Sequence, residues 1–497
     1  MDARRTPLET ASIALHCLSW RDAGTDAVFP LGQDSSRGAA EKVRMNSSTE
    51  TKRRKAHLFC LLLCSGISIL WGYSVGYTRN RWVDFRAVYY GTRCLLQHHN
   101  PYNVGELESV YRAEGGERTL NTPAALQAVT LYVNMPTTFI FVAPFAMLPW
   151  GPAHVLWTAV TAGFFVLAAV LMWSLGASYA LNVSTFLACL LAANFESTLS
   201  TANTAGIVVG LCVVAVWCFL QERFVWAGIL CLALSLAIKP HDAGFVWLYF
   251  LLAGAPYRKR ALQTLGITAI LGLAAFLWVS HVAPNWMHDW HSNLAAISGR
   301  GGMNEPGLHS IFGRAISNVV DLQAAISIFR DDPRIYNPIS YLVCGSLLLV
   351  WSVRTLRLRF SQRSAWLALA TVTALTMLLT YHRSWDAKIL MLAIPACAIM
   401  WKEGRATGRT ALVVTTAALF FTADVPLSIL NILLKHRSFS TDGILAQIRT
   451  LVLIRPVSLV LLAMGIFYLW IYVRPAVADR ESGVPAPEEW PEAAGQG

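Results

Sequence analysis

Charged side chains are scarce in this chain. Asp, Glu, Lys and Arg make up 14% of its 497 residues, against about 25% in a soluble globular domain. That shortage excludes an ordinary water-soluble fold, and a 55% hydrophobic share points to a bilayer as the solvent. Familiar catalytic signatures are missing too. There is no P-loop, no HExxH, no GxSxG and no DxD pair beside Asp84, and Asp331-Asp332 reads as a turn before Pro333. No internal repeat is visible, which removes one argument for a transporter of inverted halves. Ten Cys are present, but most (Cys60, Cys64, Cys189, Cys212, Cys218, Cys231, Cys344 and Cys397) sit inside apolar runs, so neither a disulfide framework nor a CxxC metal site is expected. Met1 opens no secretory signal. Residues 1–56 read as a disordered cytoplasmic tail, with Met45 as an alternative start, and 476–497 read as a second disordered cytoplasmic tail.

What is present is a succession of apolar runs separated by short basic clusters. The net charge of +11 could suggest nucleic acid, but the positive residues form no continuous stripe. They look like orientation signals, and no nucleic-acid partner is expected. A helix needs about 20 apolar residues to cross the hydrocarbon core. The first span, 57–77, follows Lys52, Arg53, Arg54 and Lys55, which places the N-terminus in the cytoplasm. Basic loops at 258–260, 354–363, 402–409 and 474 then fall inside if the runs 262–283, 338–355, 366–381, 385–401, 410–433 and 451–473 alternate in direction. Between 129 and 253 there are six runs where parity requires an odd number of crossings. One must be re-entrant, and 129–148, interrupted by Pro144 and followed by Pro149, is the candidate. The expected fold is an all-α polytopic membrane protein of about 12 crossings. It has two large outer loops, 78–128 and 284–337, and both ends in the cytoplasm.

Four segments carry the chemistry. Asp84 follows the first span among Arg79, Arg81, Trp82, Phe85, Arg86, Tyr89 and Tyr90. A carboxylate shielded by aromatics and kept ionised by cations suits a general base; the alternative is a solvated Asp paired with arginine. The segment 85–99 has the pattern of a helix lying on the bilayer, ended by the Asn100-Pro101-Tyr102 turn. Lys239-Pro240-His241-Asp242 stands between two half-length apolar runs, where charge is expensive and a proline breaks the helix. Lys239 and His241 there suit a phosphate, or else Lys239 snorkels from a plain turn. His382 and Arg383 in a short outer turn suit an anion, or else Arg383 pairs with Asp386 on the surface. The loop 298–315 offers Asn304, Glu305, His309 and Ser310 to a substrate, and Tyr89 and Tyr90 are further substrate candidates. His288 and His291 lack a third ligand, so no metal is expected.

With these residues in hand, the chain resembles the membrane glycosyltransferases of the GT-C fold, and within them glycosyltransferase family 87. The resemblance spans roughly 57–475. It rests on DFRAVYYGTRCLLQHHNPYN from Asp84, on Tyr132 to Pro136 with Pro144 and Pro149, on Ser200-Thr201-Ala202-Asn203, on AGILCLALSLAIKP ending at Pro240, on the 304–310 loop and on His382. The family pattern Tyr-x-Pro-Pro lacks one proline here, and Gly-Gln-x-Asn keeps only Asn203.

The resemblance implies a polyprenyl-phosphate sugar donor, a bias toward mannose, and a glycolipid or glycan acceptor. It also implies a site on the outer face of a bacterial inner membrane. Asp84 becomes the base of an inverting displacement, Lys239 and His382 become donor-phosphate contacts, and Asn203 joins the substrate residues. No cofactor is implied. The rival expectation, from the broken helices around Lys239, is a transporter or flippase for a polyprenol-linked lipid or a small anion.

Overall fold

The computed structural model describes residues 33–78, 82–116, 122–307, 319–404, 406–423, 426, 429 and 443–474. Arg79, Arg81, His309 and Ser310, the tail before residue 33 and the tail 476–497 lie outside these, as does most of 434–450. The chain divides into two units, Met1–Lys55 and Ala56–Gly497. In the first, the described part is helical from Gln33, where the sequence suggested no order, and Arg54 pairs with Glu50 one turn away at 3.1 Å.

The described residues of the second unit are all-helical, with one isolated antiparallel bridge joining Val319 to Arg383. Among all the described residues, four helices are long and apolar enough to cross a membrane: Thr49–Thr78, Trp150–Thr201, Tyr257–Val282 and Pro333–Arg357. The pair Ile444–Ile454 and Val457–Val473, bent by 70°, makes a fifth if taken as one span. The chain is therefore a membrane protein, but the long spans are fewer than the expected crossings. Two separate causes account for this. The runs 153–175 and 181–195 merge into one helix, Trp150–Ala192, kinked at Ala180. Thr137–Ala146, Ala205–Leu220, Val225–Ile238 and Ala406–Phe421 are only 10–16 residues long, and at 1.5 Å per residue such helices reach about 15–24 Å, short of a 30 Å core.

Large aliphatic residues project from the long spans: Ile270, Leu273 and Leu277 on one, Leu342 and Leu349 on another, all more than half exposed. Such surfaces suit contact with lipid. Inside, close approach depends on small residues. A Cβ at Gly210 would stand 2.6 Å from the Cβ of Phe164, so glycine lets Ala205–Leu220 pack tightly against Trp150–Ala192.

The helix Val83–Leu96 does not fit the surface-lying pattern. Ten of its fourteen residues, Arg86 among them, are buried, packed against Pro123–Thr130 and Thr137–Ala146. The Asn100-Pro101-Tyr102 turn has a structural role. Asn100 Oδ1 accepts from Tyr102 N at 3.0 Å, and Asn293 on the Trp286–Ser298 helix donates to the Tyr102 carbonyl at 2.8 Å.

Candidate active site

Four chain reversals deliver side chains to one place. Asp84 stands in the first turn of Val83–Leu96, where a carboxylate suits the positive end of the helix dipole. Trp82 N donates to the Ser200 carbonyl at 2.9 Å, which ties that helix start to the turn after Glu196–Thr201. In this turn Ala202 takes a left-handed conformation (φ 54°) and turns the chain into Ala205–Leu220. Asn203 follows. Its Oδ1 accepts from Ala205 N at 2.8 Å, and its Nδ2 donates to Asp84 Oδ2 at 2.8 Å.

Lys239 separates Val225–Ile238 from Pro240–Leu252. Pro240 forces the break: a residue before proline is driven out of the α region, and Lys239 is extended (φ −142°, ψ 83°). The proline then sits at the first position of the next helix, where its missing N–H costs nothing. Lys239 Nζ makes a short ion pair with Asp386 and lies 3.4 Å from Asp242 Oδ2. Both carboxylates are buried. Fixed pairing of this kind answers the cost of placing an ammonium here.

Beyond Gln362–Leu379, the turn Tyr381–Trp385 supplies the rest. Arg383 N donates to Asp386 Oδ2 at 2.8 Å. Its guanidinium donates to the Met303 carbonyl at 2.8 Å and to Asn304 Oδ1 at 3.1 Å, between the rings of Tyr381 and Trp385. So the loop at 304 and the turn at 383 meet, and the Arg383–Asp386 contact is a buried turn rather than a surface ion pair.

These reversals enclose a cavity of about 690 Å³. Asp84, Asn203, Lys239, His241, Asn304 and Arg383 line it, with Trp290, Met135 and Trp385 among its apolar walls. One cavity thus gathers residues from five parts of the sequence.

Four other expected residues are not on its wall. Tyr89 and Tyr90 are buried in an aromatic cluster with Trp150, and Tyr89 Oη donates to the Leu148 carbonyl at 2.8 Å. Helical geometry explains this: the lining face of Val83–Leu96 carries Val83, Asp84, Ala87 and Val88, three and four residues apart, and positions 89 and 90 turn away. Glu305 is buried and accepts from Gly301 N at 2.6 Å, which closes its own loop. His382 is also absent from the wall. It is fully buried, with Nε2 3.4 Å from Asp242 Oδ1 and Nδ1 2.9 Å from the Thr380 carbonyl.

The electrostatics follow from burial against charge. Surrounding protein strips water from Asp84 and raises its pKa, while the Asn203 hydrogen bond and the charges of Arg383 and Lys239 pull it partly back. Burial alone would lower the pKa of His382, but the facing Asp242 carboxylate more than reverses this, and the net direction is up. Burial pushes the Tyr381 phenol up to about 12, so it remains a neutral donor.

Asp242 and Asp386 pair with Lys239, a role that the sequence reading did not give them. Both stand in the motifs that drew attention, three residues after Lys239 and Arg383 respectively, yet the Lys239–Asp386 pairing spans 147 residues. His288 and His291 are exposed and belong to no metal-ligating group among the described residues. One such group is present, His241, Asp242 and His382, whose ligand atoms lie within 4.8 Å of one another. The nine described cysteines are free.

A family model described as glycosyltransferase family 87 matches residues 132–381. The match takes in Asn203, Lys239, His241 and Asn304, and stops short of Asp84 on one side and Arg383 on the other. No curated protein and no solved structure matches the chain.

Proposed function

The chain belongs to glycosyltransferase family 87, and from that membership we propose that it moves a hexose, mannose by preference, from a polyprenyl-phosphate donor to a glycolipid or glycan acceptor. The reading includes a GT-C type of fold, more crossings than the five long spans supply, and a site on the outer face of a bacterial inner membrane. The observation that carries it is the single cavity in which a carboxylate, Asp84, stands with the cations Lys239 and Arg383.

The mechanism is one inverting displacement. Asp84 takes the proton of the acceptor hydroxyl as its oxygen forms a bond to the anomeric carbon. The bond from that carbon to the donor phosphate breaks, and its electron pair leaves with the polyprenyl phosphate. Lys239, Arg383 and His241 stabilise the negative charge that gathers on the departing phosphate. Asn203 holds Asp84, Asn304 steadies the Arg383 guanidinium, and His382 acts from behind through Asp242. A long apolar donor tail suits sideways approach from lipid, which fits a cavity with apolar walls beside short apolar helices.

Transfer of radiolabel in membranes tests the donor class. With polyprenyl-phosphate mannose and crude envelope acceptors, label is expected in a new lipid or polymer, and none from a nucleotide sugar. The break at Lys239 between two short helices supports the transporter reading as the second choice. Movement of the labelled lipid between leaflets, with no new product, would favour it.

A further inference from the structure

His241 on the cavity wall, with Asp242 and His382 behind it, forms a cluster of potential ligand atoms. Asp242 Oδ1 lies 3.5 Å from His241 Nε2 and 3.4 Å from His382 Nε2. A tetrahedral ion with bonds of about 2.0–2.1 Å holds its ligand atoms about 3.3 Å apart. Two edges of the cluster are already close to that length.

The histidine is also set up for ligation. The Thr380 carbonyl can only accept, so His382 Nδ1 carries the proton that meets it at 2.9 Å. In the neutral ring this leaves the Nε2 lone pair on the Asp242 side, so a metal ion would displace the proton that the same carboxylate favours there. A ligating imidazole held by a backbone carbonyl on its other nitrogen is the usual outer-shell arrangement. His382 Nε2 and both Asp242 oxygens are buried without a hydrogen-bond partner. Ion-pair neighbours at 3.4–3.5 Å offset part of the cost of burying these atoms, but a closer partner is still wanting. Lys239 does not fill that role for Oδ1: its ammonium lies 3.4 Å from Oδ2, and its closer ion pair is with Asp386.

We propose that His241, Asp242 and His382 bind a divalent transition-metal cation of the zinc type at the edge of the cavity. Two imidazoles and a carboxylate suit zinc and its neighbours better than magnesium or calcium, which prefer oxygen. Three protein ligands leave one position open, as in sites that act on a substrate. His241 is the ligand on the cavity wall, so the open position faces the space beside Lys239. There the ion would meet the donor phosphate as a Lewis acid; this role rests on the transfer proposed above, whereas the binding does not.

The test uses the full-length protein purified in detergent, with its affinity tag removed and metal stripped by a chelator. Zinc binding is measured by calorimetry and by metal content after gel filtration. The expected result is a single equivalent of Zn2+ in the wild type and an affinity lower by about tenfold or more in His241→Ala. A His288→Ala/His291→Ala chain should keep the equivalent. His241 has a partly exposed side chain, so its loss tests binding without emptying a buried position as His382→Ala would, and the gel-filtration profile shows whether the variant is folded. A wild type that binds Zn2+ no better than His241→Ala overturns the proposal. The readout involves no sugar transfer, so its failure is distinct from failure of the transferase reading.

Discussion

Asn203 and Asp84, 119 residues apart in the chain, meet at 2.8 Å, with the Asn203 amide donating to Asp84 Oδ2. The other end of that amide is held by Ala205 N, so it cannot flip without losing a bond. The contact therefore both orients the carboxylate and favours its ionised form. A hydrogen bond to a charged group is worth about 1.5–3 kcal/mol, so Asn203→Ala should lower kcat/KM by roughly tenfold to a hundredfold. Its effect on donor KM should be small. Steady-state kinetics with varied donor checks both, and a pure KM defect would count against the assignment.

The pH profile carries a sign. Burial raises the pKa of Asp84 above its ordinary 3.8, opposed by the Asn203 bond and the Arg383 charge. A base works ionised, so activity should fall as pH drops through this raised value, with the acid limb of kcat/KM above the usual aspartate range. In Asn203→Ala the limb should move higher still. Stability runs the opposite way for this group. The folded chain holds the Asp84 proton more tightly than the unfolded chain, so the contribution favours folding in acid and is lost as pH rises from the unfolded toward the folded pKa. Thermal unfolding across the same pH range separates lost activity from lost fold.

Lys239 combines a structural and a binding role, and the two can be pulled apart. Lys239→Met leaves the buried carboxylates of Asp386 and Asp242 without their cation. Stranding a buried charge costs about 3–5 kcal/mol, so the melting temperature in detergent should fall clearly. Adding Asp386→Asn should recover much of that stability without recovering donor affinity. A double variant that binds donor normally would remove Lys239 from the phosphate site.

The cavity was partly legible in the sequence for one reason. Asp84, Lys239, His241 and Arg383 are polar groups placed where apolar surroundings make charge expensive, so each stood out alone. Their grouping rests on reversals that local signals also announce: the Lys239-Pro240 break, and the turn after Gln362–Leu379. What local signals do not carry is distance in space. Asp386 answers Lys239 and Asn304 answers Arg383 across 147 and 79 residues, and no spacing rule shows that. Tyr89 and Tyr90 lie off the cavity wall, and helical period alone puts Ala87 and Val88 beside Asp84 on the lining face. The count of crossings was inferred from apolar runs, basic loops and parity, and none of these says where an apolar run stops being a helix. Runs ended by Pro240 and by the Ala202 turn give helices shorter than a bilayer.

The most direct test of the account is Asp84→Asn, which keeps the size of the side chain and its contact with Asn203 while removing the base. Sugar transfer from polyprenyl-phosphate mannose should fall by about a hundredfold or more, with the variant folded, as judged by gel filtration and melting temperature, and still binding donor. Full activity in Asp84→Asn would contradict the account and leave the cavity without its base.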